Sequence, residues 1–154
     1  MSAIRKARWK RRALAVGLLS AAAVITSCAV WPDVSRLKAE TPRTTAFMKY
    51  RRAEAEKMGR PLAIRYEWVP LSSISPYLSR AVVIAEDDKF WQHGGFDFEA
   101  MKDAVKRDIS RKSVRFGGST ITQQLAKNLF LSSSRSPIRK VREFILAWRL
   151  ERAL

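Results

Sequence analysis

From Ala13 to Trp31 the chain reads ALAVGLLSAAAVITSCAVW, nineteen residues without a charge, directly after the basic run RKARWKRR. No other feature constrains the fold as strongly. At about 1.5 Å of rise per residue, a helix of this length just spans a hydrocarbon core of about 30 Å. Lysine and arginine in front of it predict a cytoplasmic tail over residues 1–12, a signal anchor over 13–31, and everything after Trp31 on the far side of the membrane.

Other readings of the same stretch stay open. A cleavable signal peptide has the same basic flank, apolar centre and small residues before the cut. Ile25, Thr26, Ser27 and Cys28 resemble a lipobox, whose cysteine is acylated. A buried helix is the remaining alternative, and it alone leaves the rest of the chain on the near side. The 154 residues suffice for one compact domain. Residues 1–31 hold six Lys or Arg and no acid, so of the net charge of +16 the remaining 123 residues keep +10. Such an excess calls for an anionic partner: nucleic acid, lipid head groups or a phosphorylated substrate. A single cysteine excludes an intramolecular disulfide framework and a cysteine-rich zinc site.

Past the apolar stretch, residues 32–61 read as a juxtamembrane connector with an amphipathic helix, TTAFMKYRRAEAEKMG, closed by Gly59 and Pro61. LAIRYEWV, residues 62–69, alternates apolar and polar side chains between prolines and predicts one short strand or hairpin. Everything downstream reads as helix. Ile74, Leu78, Val82 and Ala85 form one stripe, and Phe98, Met101, Val105 and Ile109 a second. Ile121, Leu125 and Leu129 form a third, behind a Ser119 or Thr120 cap. Ser136 and Pro137 open a last helix, PIRKVREFILAWRLERAL, that carries no stop signal.

Three clusters can carry chemistry. Glu86, Asp87 and Asp88 are adjacent carboxylates at a helix end, beside Phe90, Trp91, His93 and two glycines. Aromatic walls and pliant backbone next to acids suit a cleft with a general base, although such a cluster also serves as a plain polar helix end. His93 has no neighbouring histidine or cysteine and forms no metal site by itself. RFGGSTITQQLAKN combines two glycines and a helix N-terminus with a row of neutral hydrogen-bonding groups suited to sugar hydroxyls. It lacks the Gly-Lys-Ser/Thr of a P-loop. Arg139 and Glu143 fit an ordinary i,i+4 pair, with Lys140 beside them.

Together these clusters resemble the peptidoglycan glycosyltransferases, glycosyltransferase family 51. Residues 86–97, EDDKFWQHGGFD, are similar to that family's EDxxFxxHxGxD motif. Residues 117–128, GGSTITQQLAKN, are similar to its second motif, and Arg139, Lys140 and Glu143 to its RKxxE motif. The resemblance is to the monofunctional biosynthetic members. It implies a mainly α, lysozyme-like domain over 62–154, inserted into the periplasm or outer space from a bacterial cytoplasmic membrane. It implies polymerisation of lipid II onto a nascent glycan strand, with other cell-wall synthesis enzymes as partners. Glu86 would be the general base, and Glu143 a second essential carboxylate. Arg139, Lys140, Lys127 and Arg115 would meet the diphosphate, and Ser119, Thr120, Gln123 and Gln124 would line the sugar cleft. Asp87, Phe90, His93, Gly95 and Asp97 would shape the loop holding Glu86. Mg2+ or another divalent cation would bridge the diphosphate, without a dedicated metal cage in the chain.

Members of the family continue into an ILExYLN-like segment and a further lobe. Residues 62–154 therefore read as the N-terminal part of the domain, with Leu146, Trp148 and Leu150 expected to lack packing partners. Two other classes compete with this reading: a lysozyme-like glycan-cleaving enzyme, which needs no diphosphate contacts, and a non-catalytic, membrane-tethered basic module. Nucleic acid is excluded as a partner by the membrane segment, which delivers the basic domain to the wrong compartment.

Overall fold

The computed structural model describes residues 8–9, 11–12, 14–18, 31–111, 117–134 and 136–154. The chain divides into two compact units, Met1–Asp33 and Val34–Leu154. In the first unit, residues 8–9, 11–12 and 14–18 are helical with exposed side chains. Most of the expected span 13–31, Cys28 included, lies outside the described residues. Among the described residues no helix is long and apolar enough to cross a membrane.

The second unit contains five α-helices: α1 Ala46–Lys57, α2 Pro76–Glu86, α3 Phe98–Ser110, α4 Ile121–Phe130 and α5 Pro137–Ala153. Short 3-10 turns cover Val34–Lys38, Leu71–Ser73 and Phe90–Gln92. The helix starts follow local capping chemistry. The Thr45 side chain accepts from Met48 N at 3.1 Å, and Asp97 Oδ1 accepts from Ala100 N at 2.8 Å. Ser136 Oγ accepts from Arg139 N at 3.2 Å. Pro76 and Pro137 occupy first helical turns, where the missing N–H has no intrahelical partner to lose.

The expected strand over 62–69 does not form, and no strand occurs among the described residues. A strand needs a neighbour to take its backbone hydrogen bonds, and no described segment pairs with this one. The alternation persists without a sheet to bury it. Ile64 is half-buried, whereas Leu62, Tyr66 and Trp68 are exposed.

α4 is the centre of the unit. α5 and α1 pack on it, and the Val34–Lys38 turn packs on α5 and buries Val34. The buried face of α4 is Thr122, Gln123 and Ala126. The expected stripe fares differently, with Leu125 exposed and Ile121 and Leu129 only half-buried. From α5 the core receives Leu146, Ala147 and Leu150, each at most 1% exposed. This corrects the expectation that Leu146 and Leu150 lack partners. Each buried leucine contributes about 1.5–3 kcal/mol. Trp148 is exposed as expected, with the Arg152 guanidinium 4.8 Å from its ring centre.

The stripes expected on α2 and α3 also face outward. Leu78, Val82 and Ala85 are exposed and α2 buries no residue. Phe98, Val105 and Ile109 are exposed, and α3 buries Ala104 instead. At Gly118 φ is +87° and a Cβ would sit 2.8 Å from the Ala100 carbonyl oxygen, so the backbone entering α4 lies directly on the backbone of α3, an approach that the absence of a side chain at 118 allows.

Candidate functional site

α2 ends at Glu86, and the chain leaves the helix at Asp87. The two neighbouring carboxylates therefore have opposite surroundings. Glu86 stays exposed, with Oε2 accepting from Gln124 Nε2 at 2.9 Å. Asp87 is buried and spends both oxygens on structure. Its Oδ1 lies 2.8 Å from His93 Nε2, and its Oδ2 accepts from the backbone N of Ile121 at 3.0 Å. A carboxylate on the first N–H of a helix is favoured by the local dipole, so Asp87 clamps the acidic loop onto α4 and leaves Glu86 at the surface.

The rest of the loop is bound as tightly. Phe90 meets Trp91 edge-on at 4.8 Å. Lys89 lies 2.9 Å from Glu99, whose hydrogen bond and charge hold the lysine above its ordinary value of 10.5. Asp97 is buried as the cap of α3. Gly95 is buried at φ +83°, and its carbonyl accepts from Thr120 Oγ1 at 2.7 Å. Phe96 stacks on Phe144 of α5 with ring centres 4.9 Å apart.

Thr120 and Gln123 form a capping box: Gln123 N donates to Thr120 Oγ1 at 3.2 Å and Thr120 N donates to Gln123 Oε1 at 3.0 Å. Gln123 is 0% exposed, so it does not line an open cleft, in contrast to the sequence expectation. Its Oε1 is spent on starting the helix that presents Gln124, and its buried Nε2 has no hydrogen-bond partner among the described residues. Ser119 and Gln124 remain half-buried, and Lys127 follows three residues later on the same side of α4. A cavity of about 110 Å³ is lined by Glu86, Asp87, Asp88, Gly118, Ser119 and Thr120, with Asp97 and Ala100 behind them.

On α5, Glu143 is 2% exposed and accepts from both Arg139 Nη1 and Lys140 Nζ. A buried carboxylate is tolerable only when paired in this way. Two cations on one anion leave a net positive site. Lys140 Nζ also donates to Ser119 Oγ at 3.0 Å, so one ammonium joins the start of α4 to α5. Beside these cations an apolar cavity of about 410 Å³ is lined by Pro137, Val141, Phe144 and Ile145. Arg115 lies outside the described residues.

The structure thus joins the three sequence clusters around the N-terminus of α4. Gln124 bonds the exposed Glu86, and Ser119 bonds Lys140 of the paired cations. Two contacts were not visible in the sequence: the Phe96–Phe144 stack and a 2.5 Å hydrogen bond from Thr122 Oγ1 to Glu151 Oε1. Their partners are 48 and 29 residues apart, so no local pattern signals them.

The class these features define is the transglycosylases. Residues 54–154 match the family described as Transglycosylase, and the chain belongs to that family. Among curated relatives it is 41% identical over 139 residues to a biosynthetic peptidoglycan transglycosylase of Neisseria meningitidis serogroup C, covering 90% of this chain and 58% of the relative. It is 42% identical over 113 residues to the protein of that name from Nitrosospira multiformis, covering 73% of this chain and 49% of the relative. The chain spans about half to three-fifths of the length of these relatives.

Proposed function

We propose that this protein is a peptidoglycan glycosyltransferase that joins lipid-linked disaccharide units into glycan strands at the outer face of a bacterial cytoplasmic membrane. The observation that carries the reading is that the start of α4 is bonded to both chemical groups, to Glu86 through Gln124 and to Lys140 through Ser119, with Lys140 and Arg139 paired on the buried Glu143.

In this reading Glu86 takes the proton from the 4-hydroxyl of the acceptor sugar as that oxygen attacks the anomeric carbon of the donor strand. The bond from that carbon to the lipid diphosphate breaks, the configuration inverts, and the electron pair leaves with the diphosphate. Lys140 and Arg139 meet the negative charge developing there, with Lys127 and Arg115 as further cations. Glu143 keeps the two α5 cations aligned and partly neutralised, so that they engage a diphosphate without repelling each other. Ser119 and Gln124 orient sugar hydroxyls. Among the described residues no three His, Cys, Asp or Glu side chains are placed to hold a metal ion. A divalent cation bound with the substrate would neutralise charge on its diphosphate.

Residues 13–31 are proposed as the single-pass anchor, with residues 1–12 cytoplasmic and 32–61 as the connector to the transferase domain. The apolar length and the preceding cations support this placement.

Polymerisation of labelled lipid II in detergent tests the reading. The chain, its Glu86→Gln variant, and a fusion extended by the remaining part of a Neisseria relative are run side by side. Polymer from the chain or the fusion that disappears with Glu86→Gln is the expected result. Silence from both chain and fusion sinks the enzymatic reading in favour of a tethered, non-catalytic module.

A further inference from the structure

Three consecutive residues at the start of α4 each donate a hydrogen bond, between them to two other segments. Thr120 Oγ1 reaches the Gly95 carbonyl at 2.7 Å, and Ile121 N reaches Asp87 at 3.0 Å. Thr122 Oγ1 reaches Glu151 Oε1 at 2.5 Å. The first two bind the loop that follows Glu86. The third binds the last turns of α5, the helix that carries Arg139, Lys140 and Glu143.

Glu151 makes a second contact with the same loop. A Cβ built on Gly95 would lie 2.5 Å from Glu151 Cγ and 3.0 Å from its Cδ and Oε1. The stem of Glu151 therefore fills the space that any side chain at position 95 would take, and the φ of +83° there already favours glycine. Loop, α4 and α5 converge on this one side chain. Its choice of partner is informative. The chain has 30 Lys and Arg against 14 Asp and Glu, and the neighbouring Arg152 lies over Trp148. Among the described residues Glu151 bonds a buried threonine hydroxyl. Glu151 is exposed as a residue, yet its carboxylate turns to the buried Thr122 in a partly buried hydrogen bond.

The mechanical consequence follows from spacing. Lys140 attaches α5 to Ser119, and Glu151 attaches it to Thr122. The two attachment points are eleven residues apart on α5, about 16 Å along the axis. Between these points Phe144 stacks on Phe96 and Leu146, Ala147 and Leu150 are buried, so Glu151 adds a polar attachment at the C-terminal end of a helix packed along its middle. We propose that Glu151, through Thr122 and Gly95, is a positioning residue for the transfer reaction: the polar attachment at the C-terminal end of α5 that sets the register of its cations against α4 and the loop after Glu86. The proposal rests on the transferase reading given above.

Steady-state polymerisation by the full chain, or by the active fusion, provides the test. Because misplacement of a reacting group by about 1 Å costs up to about a hundredfold in rate, Glu151→Ala is expected to lower kcat by about tenfold or more, with KM for lipid II changed by less than about threefold. Thr122→Val should match it and keeps the shape of the side chain, so it carries the test if Glu151→Ala does not fold. The double variant should fall no further than either single one, since both remove the same bond. Glu151→Gln should recover most of the rate, because its amide oxygen still accepts from Thr122. Hydrogen–deuterium exchange at residues 93–97 should rise in Glu151→Ala and stay near wild type in Glu151→Gln. Unchanged kcat in Glu151→Ala, additive losses in the double variant, or a Glu151→Gln as slow as Glu151→Ala would each overturn the proposal. A wild-type enzyme without activity defeats the transferase reading instead, and is told apart because the exchange at 93–97 still responds to Glu151→Ala if the joint is real.

Discussion

At the scale of single residues, the site depends on positions where the side chain is either absent or committed. Gly118 is the sharpest case. A methyl group there meets the Ala100 carbonyl at 2.8 Å and its backbone sits at φ +87°. Backbone cannot swing aside as a flexible side chain can. Gly118→Ala is therefore expected to cost about 1–3 kcal/mol of stability, read as a lowered denaturation midpoint, and to separate α3 from the start of α4. Asp87 shows the other kind of constraint. Glu86 and Asp87 look equivalent in the sequence, yet the helix ends between them and only Asp87 turns inward, to His93 and Ile121.

At the scale of elements, α4 is a polar helix at the centre of a small core. Its buried face of Thr122, Gln123 and Ala126 would be a poor choice for stability alone, since each buried polar group needs a partner. Thr120 serves two such needs, capping Gln123 N and donating to Gly95. Loss of a helix cap costs about 1 kcal/mol and loss of a net hydrogen bond about the same. Thr120→Ala is expected to destabilise the fold by about 2 kcal/mol in urea unfolding, and Thr120→Ser to restore most of it. A Thr120→Ala variant as stable as wild type would show that the capping box does not hold the helix start.

At the scale of the whole molecule, charge and apolar length govern how the protein meets a membrane. The 123 residues after Trp31 carry +10, and screening shortens from about 8 Å at 0.15 M salt to about 3 Å at 1 M. A variant lacking residues 1–31 is expected to sediment with anionic vesicles at low salt and to be released as salt rises. The full chain should remain bound throughout, because burial of residues 13–31 does not depend on ionic strength. Release of the full chain by salt would count against an apolar anchor.

Much of this protein was written in local sequence. The helix starts at Thr120 and at Ser136–Pro137 were legible because a cap acts over three residues. The three clusters around Glu86, Ser119 and Lys140 were legible because their residue types are unusual together. The strand over 62–69 and the apolar stripes of α2 and α3 were not, since alternation and periodicity describe a face and leave open what covers it. Only the tertiary structure decided that Asp87 turns inward while Glu86 stays out. It also decided that Gln123 is buried beneath the helix start, that Leu146 and Leu150 are core, and that Glu151 reaches Thr122 and Gly95. The physical reason is range: capping and helical period act within one or two turns, whereas burial and the partner of a side chain depend on segments tens of residues away.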